Sequence, residues 1–261
     1  MFSLNAIRGN KSVCMNFLSA LQTSKPLAEV INQAHILCPE LKECVEKNRE
    51  TFNSKKGRDK GNLGKIVEFY LFGQLPNCDP NPDLEWGGDI KATHFKKNKK
   101  GHYSAKERLT ITNCGKTADY ATFASIVESS TLKECKYYPK IQNGVLFVFE
   151  YDKSSGKYTN PEENLQKRLL TICQYDTETL PDSFRTQLQC DFDDIKNKIT
   201  NECVSQKGQK YLHIHPHGSK KSTTRAFGFT NKFLTKLVAH CKNYPITEKG
   251  RSVYIERQHF N

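Results

Sequence analysis

The stretch that most constrains this chain is residues 82–91, Pro-Asp-Leu-Glu-Trp-Gly-Gly-Asp-Ile-Lys. Asp89-Ile90-Lys91 sits among residues that suit a strand. Alternate residues of a strand point to the same face, so Asp89 and Lys91 are predicted to emerge together. The Gly87-Gly88 pair is predicted to turn the chain and bring Asp83 back beside them. Two carboxylates and an ammonium in one place can hold a hard divalent cation, a water and a phosphate. That is the equipment for cutting a phosphodiester.

The charge balance agrees with a polyanionic partner. The chain has 261 residues, a formal net charge of +12 and a pI of about 9.1. That length allows one large domain or two small ones. A basic excess of this size favours nucleic acid, although it says nothing about fold. The plain alternative is a soluble basic protein with no specific partner. No apolar run approaches the ~18 residues of a membrane span. Residues 1–8, Met-Phe-Ser-Leu-Asn-Ala-Ile-Arg, lack signal-peptide organisation. The expectation is an intracellular protein without a membrane partner, or one exported by other means. The ten cysteines form no Cys-x-x-Cys pair, so zinc-ribbon spacing is absent. Spread through the chain and often among apolar neighbours, they read as reduced, mostly buried thiols.

The pattern along the chain is α/β, without repeats. Helical spacing covers residues 11–21 and 26–47, with Pro26 suited to a helix start. Residues 50–60 are polar and basic and read as a loop. Helical spacing returns over 61–73 through Leu63, Ile66, Val67, Tyr70 and Leu71. A proline-rich loop follows, then the acidic strand. Residues 109–112 alternate as a strand, 120–137 read as a helix, and 145–149 form a continuous apolar run of the buried-strand kind. Residues 152–162 are a polar turn region. Residues 182–204 read as a helix with a charged face, and 211–215 as a strand that 227–229 could pair with as a hairpin. A last helix over 230–243 and a last strand over 253–255 complete the reading.

A third carboxylate stands just ahead of the acidic strand. In Lys60-Gly61-Asn62-Leu63-Gly64-Lys65-Ile66-Val67-Glu68, Gly61, Gly64 and Glu68 share one helical face. The small residues let a helix approach something closely. Glu68 takes a position where an ordinary core helix would carry an apolar residue, and a buried carboxylate needs a cation or a donor. The alternative is a solvated glutamate at the helix edge.

The stretch 60–68, then Pro82-Asp83, then Gly88-Asp89-Ile90-Lys91-Ala92-Thr93, resembles the MutH family. That family holds a mismatch-repair nicking endonuclease and related type II restriction endonucleases. Its pattern is Lys-Gly-x-x-Gly-x-x-x-Glu, then Asp, then Glu/Asp-x-Lys-Thr. Downstream, Lys210-Tyr211-Leu212-His213-Ile214-His215-Pro216 is similar to the family's strand ending in a basic residue and proline. Arg225-Ala226-Phe227-Gly228-Phe229, with Lys232-Phe233-Leu234, resembles its next strand and final helix. The likeness runs from residue 60 to about residue 240, with its parts in the family's order.

The resemblance implies a restriction-endonuclease-like, PD-(D/E)xK fold: an α/β architecture with a mixed sheet flanked by helices, and two lobes around a DNA cleft. It implies an endonuclease domain over 60–261, with residues 1–59 a helical arm or subdomain outside the likeness. Glu68 matches the helix glutamate, Asp83 and Asp89 the metal-binding carboxylates, and Lys91 the catalytic lysine. Ile90 would lend a backbone carbonyl to the metal. Lys140 is the best match to a second family lysine before the Val-Leu strand, with Lys136 in reserve. Mg²⁺ is the implied cofactor, with Mn²⁺ a substitute and Ca²⁺ supporting binding without hydrolysis.

The remaining positive charge has a place in this reading. Lys96, Lys97, Lys99 and Lys100 follow the acidic strand, Lys60 closes a basic run ahead of the Glu68 helix, and Lys220, Lys221 and Arg225 flank the downstream hairpin. All are candidate contacts to double-stranded DNA; each run could equally be a solvated loop. His213, His215 and His217 alternate, but three histidines on one strand rarely converge on a metal without help. The resemblance instead puts His215 and His217 in a base-reading loop, where the family carries arginine and lysine. Gly228 stands where MutH has a tyrosine. The implied recognition site is short, with GATC a candidate that this altered surface does not carry over. Three functions fit: a type II restriction enzyme, a repair nicking endonuclease acting with a partner, or a DNA-binding module of the same fold. Monomer and homodimer are both open.

Overall fold

In a computed structural model of the chain, the helical stretch read across residues 26–47 is two helices. Cys38 adopts φ −136° and ψ 87°, as the residue before a proline is pushed to do. Pro39, which lacks an N–H, opens the second helix, where a first-turn amide needs no partner. The structure describes residues 1–55, 62–77, 79, 81–116, 120–152, 161–201, 208–216, 224–250 and 252–260.

In chain order, the first part holds α1 (Leu4–Gly9), α2 (Lys11–Ala20), β1 (Lys25–Pro26), α3 (Leu27–Leu37), α4 (Pro39–Lys55), α5 (Asn62–Phe72) and β2 (Asp89–Lys97). Then come β3 (Tyr103–Ala105), β4 (Leu109–Lys116), α6 (Tyr120–Val127), α7 (Tyr138–Gln142), β5 (Asn143–Glu150), α8 (Pro161–Leu165) and β6 (Arg168–Asp176). The chain ends through α9 (Asp182–Thr200), β7 (Leu212–Pro216), β8 (Thr224–Phe229), α10 (Asn231–Lys242), β9 (Ile246–Lys249) and β10 (Ser252–Ile255). The protein is thus of mixed α/β class. No helix among the described residues is long and apolar enough to cross a membrane.

The elements gather into two units. The first comprises Met1–Lys97, Val145–Gln174 and Arg257–Asn261. Its strands lie in the order β1-β6-β5-β2. One apolar core joins α1–α5 to this sheet: Phe17, Leu27, Leu41, Val45, Phe52, Val67, Phe69, Phe72, Phe147 and Phe149 are all at most 1% exposed. Phe52 of α4 stacks on Phe69 of α5 at 4.1 Å between ring centroids. Helices α1–α4 therefore share a core with α5 and the sheet of the acidic strand. Burying such rings removes on the order of 150–250 Å² each from water, which outweighs the polar character of the surrounding sequence.

The second unit comprises Asn98–Gly144 and Tyr175–Glu256. One sheet runs β4-β8-β7, all antiparallel, with Ile214 opposite Phe227 and Leu109 opposite Phe229. The hairpin expected from residues 211–229 is the β7–β8 pair. Strands β3, β10 and β9 form an antiparallel group in that order. Helix α10 has the strongest sequence signature: Thr230 caps it by accepting from Phe233 N, and Asn243 closes it in the left-handed region at φ 54°. Its buried face, Phe233, Leu234, Leu237 and Val238, follows the 3.6-residue period.

Other expectations changed too. The helix read over 120–137 stops at Val127; a 3-10 turn over Leu132–Glu134 lies in its second half, and α7, with Pro139 in its first turn, starts just beyond it. Residues 50–55, read as the start of a loop over 50–60, belong to α4, and residues 56–60 lie outside the described residues. Strands β1, β3, β6 and β9 had no sequence counterpart. β9 is exposed throughout, so it has no alternation to read. β6 is nearly all buried, and a continuous apolar run has no period that separates strand from helix.

Candidate active site

The site is built in the first unit, where the 83–89 loop enters β2. Leu84 N donates to Gly88 O at 2.8 Å and Gly87 N to Leu84 O at 2.8 Å, so residues 84–88 close into a tight turn. Trp86 folds back over Gly88: a Cβ there would lie 2.1 Å from the indole. Only glycine fits. The turn returns Asp83 to the strand, and Asp83 Oδ2 accepts from Ile90 N at 2.8 Å. Gln74, just past α5, donates to the carbonyl of Asp83.

Asp89 and Lys91 project from the same face of β2. The Asp89 side chain is 0% exposed and that of Lys91 16%. The Lys91 ammonium contacts Asp89 Oδ2 and reaches the Ile90 carbonyl at 3.3 Å. Burial pushes the Asp89 carboxyl up to about 6; Lys91 opposes that rise and Asp83 adds to it. For Lys91, burial works against the charged form, but Asp89, Asp83 and Glu68 override it and hold the ammonium's pKa above its ordinary value. Glu68 lies half-buried on α5 with Oε1 3.8 Å from where a Cβ on Gly64 would stand, so its carboxylate leans back over the glycine. Glu68, Asp83, Asp89 and Lys91 thus belong to one electrostatic cluster.

This donor set suits a hard cation. Asp83, Asp89 and the Ile90 carbonyl offer oxygen only. Among the described residues no group of three or more His, Cys, Asp or Glu side chains forms a ready-made metal cage. The fit is therefore to an ion such as Mg²⁺ that keeps several waters and takes only one or two protein carboxylates, rather than to Zn²⁺.

The other candidate residues are dispersed. Lys140 lies in α7, in the second unit, whereas the carboxylates are in the first. Lys96 is exposed at the end of β2, and Lys97 beside it pairs with Glu150. Lys99 and Lys100 are exposed on a turn that Asn98 organises, its Oδ1 accepting from Lys100 N at 2.9 Å and His102 N at 3.0 Å. Lys60, His217, Lys220 and Lys221 lie outside the described residues. Arg225 is half-buried on β8, opposite Pro216.

His215 is only 4% exposed, and its Nε2 meets Thr110 Oγ1 at 3.2 Å. His213 stacks on it, ring centroids 4.6 Å apart. Both rings lie over Gly228, where a Cβ would come 3.0 Å from His215 and 2.5 Å from the Leu109 carbonyl. Burial, and then Arg108, push the His213 pKa down to about 4, which keeps that imidazole neutral. The paired rings fill the space that a side chain at 228 would need. His215 is thus a packed side chain, not a free donor at the surface.

Three positioning residues had been missed. Arg8 donates from Nε to Phe72 O at 2.7 Å, while its own carbonyl accepts from Glu85 N at 3.1 Å. It ties the end of α5 to the acidic loop. Gln74 holds Asp83 from the opposite side of that loop's sequence. Neither belongs to a readable pattern. Asp191 of α9, 3% exposed, accepts from Lys210, Tyr211 and Leu212 N and from Gln187, and so fixes the start of β7. A signal existed for Asp191: an acid on the apolar stripe of Leu188, Phe192, Ile195 and Ile199.

Comparison with known proteins gives one informative likeness. No family model matches the chain. The Type II restriction enzyme Sau3AI of Staphylococcus aureus is 26% identical over 212 residues, a match that covers 76% of this chain and 40% of that protein. The chain thus spans about two fifths of the length of the curated relative it matches, and it is similar to part of a type II restriction enzyme.

Proposed function

We propose that this chain is a Mg²⁺-dependent endonuclease that hydrolyses double-stranded DNA, of the type II restriction class. One observation carries the reading: a fully buried aspartate, Asp89, faced by Lys91 and linked to Asp83 through the Ile90 amide. Such a cluster is costly to bury and is found where charge must be handled. The likeness to a type II restriction enzyme supports the same conclusion. So does the net charge of +12.

Asp83, Asp89 and the Ile90 carbonyl would hold the ion. When bound, it would polarise the scissile phosphate and lower the pKa of water. Lys91 orients the attacking water and balances the negative charge that builds on the phosphate oxygens. Glu68 steadies Lys91 from α5. The Ile90 amide fixes the Asp83 carboxylate, so that little reorganisation is needed as charge develops. Lys96, Lys99, Lys100 and Arg225 supply contacts to the phosphate backbone.

Digestion of methylated and unmethylated plasmid DNA with Mg²⁺, followed by sequencing of the ends, tests the proposal. Linear products with a constant short sequence at their termini, GATC or another, are the expected result. Nicked circles alone would favour a repair-type nicking enzyme. Binding without cleavage in any metal would leave a DNA-binding module. Ca²⁺ is expected to support binding and not cleavage; hydrolysis in Ca²⁺ alone would count against the assigned chemistry.

A further inference from the structure

The Lys91 ammonium occupies a telling position. It touches Asp89 Oδ2 and the Ile90 carbonyl, which are two of the atoms offered to a divalent ion. Asp83 and Glu68 also act on it electrostatically, so its charge balances those of three carboxylates. Asp83 Oδ2 is already engaged by the Ile90 amide, which leaves fewer oxygens for a second cation. A divalent ion held by the same oxygens would bring a like charge beside that ammonium, and like charges close together repel strongly where water is scarce. A lysine is a compact charge on a flexible stem, able to leave without moving the backbone. Its side chain keeps 16% exposure, whereas Asp89 has none.

We propose that Lys91 is the resident cation of this site and that a divalent ion binds by displacing its ammonium from Asp89 and Ile90, so that metal and lysine alternate there. This rests on the metal-dependent reading above. The displaced ammonium remains on the face of β2 and is then free to meet a phosphate oxygen. Metal and DNA therefore assist one another: the ion releases the lysine, and the phosphate both receives it and completes the ion's shell. In the protein without DNA, metal binding is held weak by its own side chain.

Mn²⁺ binding tests this without any cleavage. Free Mn²⁺ is measured by electron paramagnetic resonance at pH 8, without DNA, for the wild type, Lys91→Met, Lys91→Gln and Asp89→Asn. Lys91→Met and Lys91→Gln are expected to bind Mn²⁺ about tenfold or more tighter than wild type, within the ordinary range of coupling between two ligands of one protein. Asp89→Asn is expected to lose binding. Each variant is melted with and without Mn²⁺; a larger Mn²⁺-induced rise in Tm for the two lysine variants is the same result read through stability, and holds even if they fold only with the ion. Equal or weaker Mn²⁺ binding in both lysine variants, with binding lost in Asp89→Asn, would overturn the displacement and leave the nuclease reading standing. Wild-type binding by Asp89→Asn would overturn both.

Discussion

At the scale of single residues, Asp89 sets the behaviour of the site. Its carboxyl is raised to about 6, chiefly by burial. Above that pH it is ionised and able to hold a cation; below it a proton competes. Apparent Mn²⁺ affinity is therefore expected to fall about tenfold per pH unit below pH 6 and to level off above it. A titration that stays flat from pH 5 to 8 would remove Asp89 from the ligand set. Substituting Asp83, Asp89 or Lys91 with alanine is expected to lower single-turnover cleavage by ~10²–10³ or more while duplex binding in Ca²⁺ persists. Near wild-type cutting by Asp89→Ala would refute the assignment. These residues were legible in the sequence because a strand's two-residue period and a Gly-Gly turn are local facts. Arg8 and Gln74 were not. The side chain of each donates to a main-chain oxygen, of Phe72 and of Asp83, and no spacing in the chain announces such a bond.

Among the elements, the α9–β7 junction depends on one carboxylate. Asp191 collects the amides of residues 210, 211 and 212 in a setting shielded from water. Asp191→Ala leaves those donors without a charged acceptor. A loss of about 3 kcal/mol is expected, seen as a fall in Tm of roughly 5–10 °C. An unchanged Tm would mean that water or a neighbour replaces the carboxylate. Arg8→Ala acts differently: it removes the side-chain bond to Phe72 O at the end of α5 and keeps the main-chain carbonyl that accepts from Glu85 N in the acidic turn. It is expected to cost about 1–2 kcal/mol and to slow cleavage more than it weakens DNA binding; equal losses in both would make Arg8 merely structural. The amino-acid pattern announced the elements whose faces alternate or repeat, such as α10, β7 and β8. It gave little of β6 and β9, one buried on both faces and the other on neither, since a period exists only where the two faces differ.

For the whole molecule, charge is the dominant property. With a net charge of +12, duplex affinity is expected to fall ~10³–10⁵ between 50 and 200 mM salt if six to ten phosphates are contacted. A flat salt dependence would argue against DNA as the substrate. The division of the chain into two units was not visible along the sequence, because each unit draws on separated stretches of it. The shared core of residues 4–55 with α5 and the sheet was equally hidden: which apolar faces meet is settled by packing across the chain, and only their existence can be read along it. That core matters for function, since α1 is bonded to both the end of α5 and the acidic turn.

The position of Trp86 has an experimental use. It is the sole tryptophan of the chain, lies between Asp83 and Asp89, covers Gly88, and has the Lys11 ammonium 5.8 Å from its ring. Its fluorescence therefore originates within the acidic turn itself. An ion or a duplex that shifts this turn will change the intensity or colour of that emission, so the protein carries its own optical probe, and stopped-flow recordings on the unlabelled chain can time each arrival at the site.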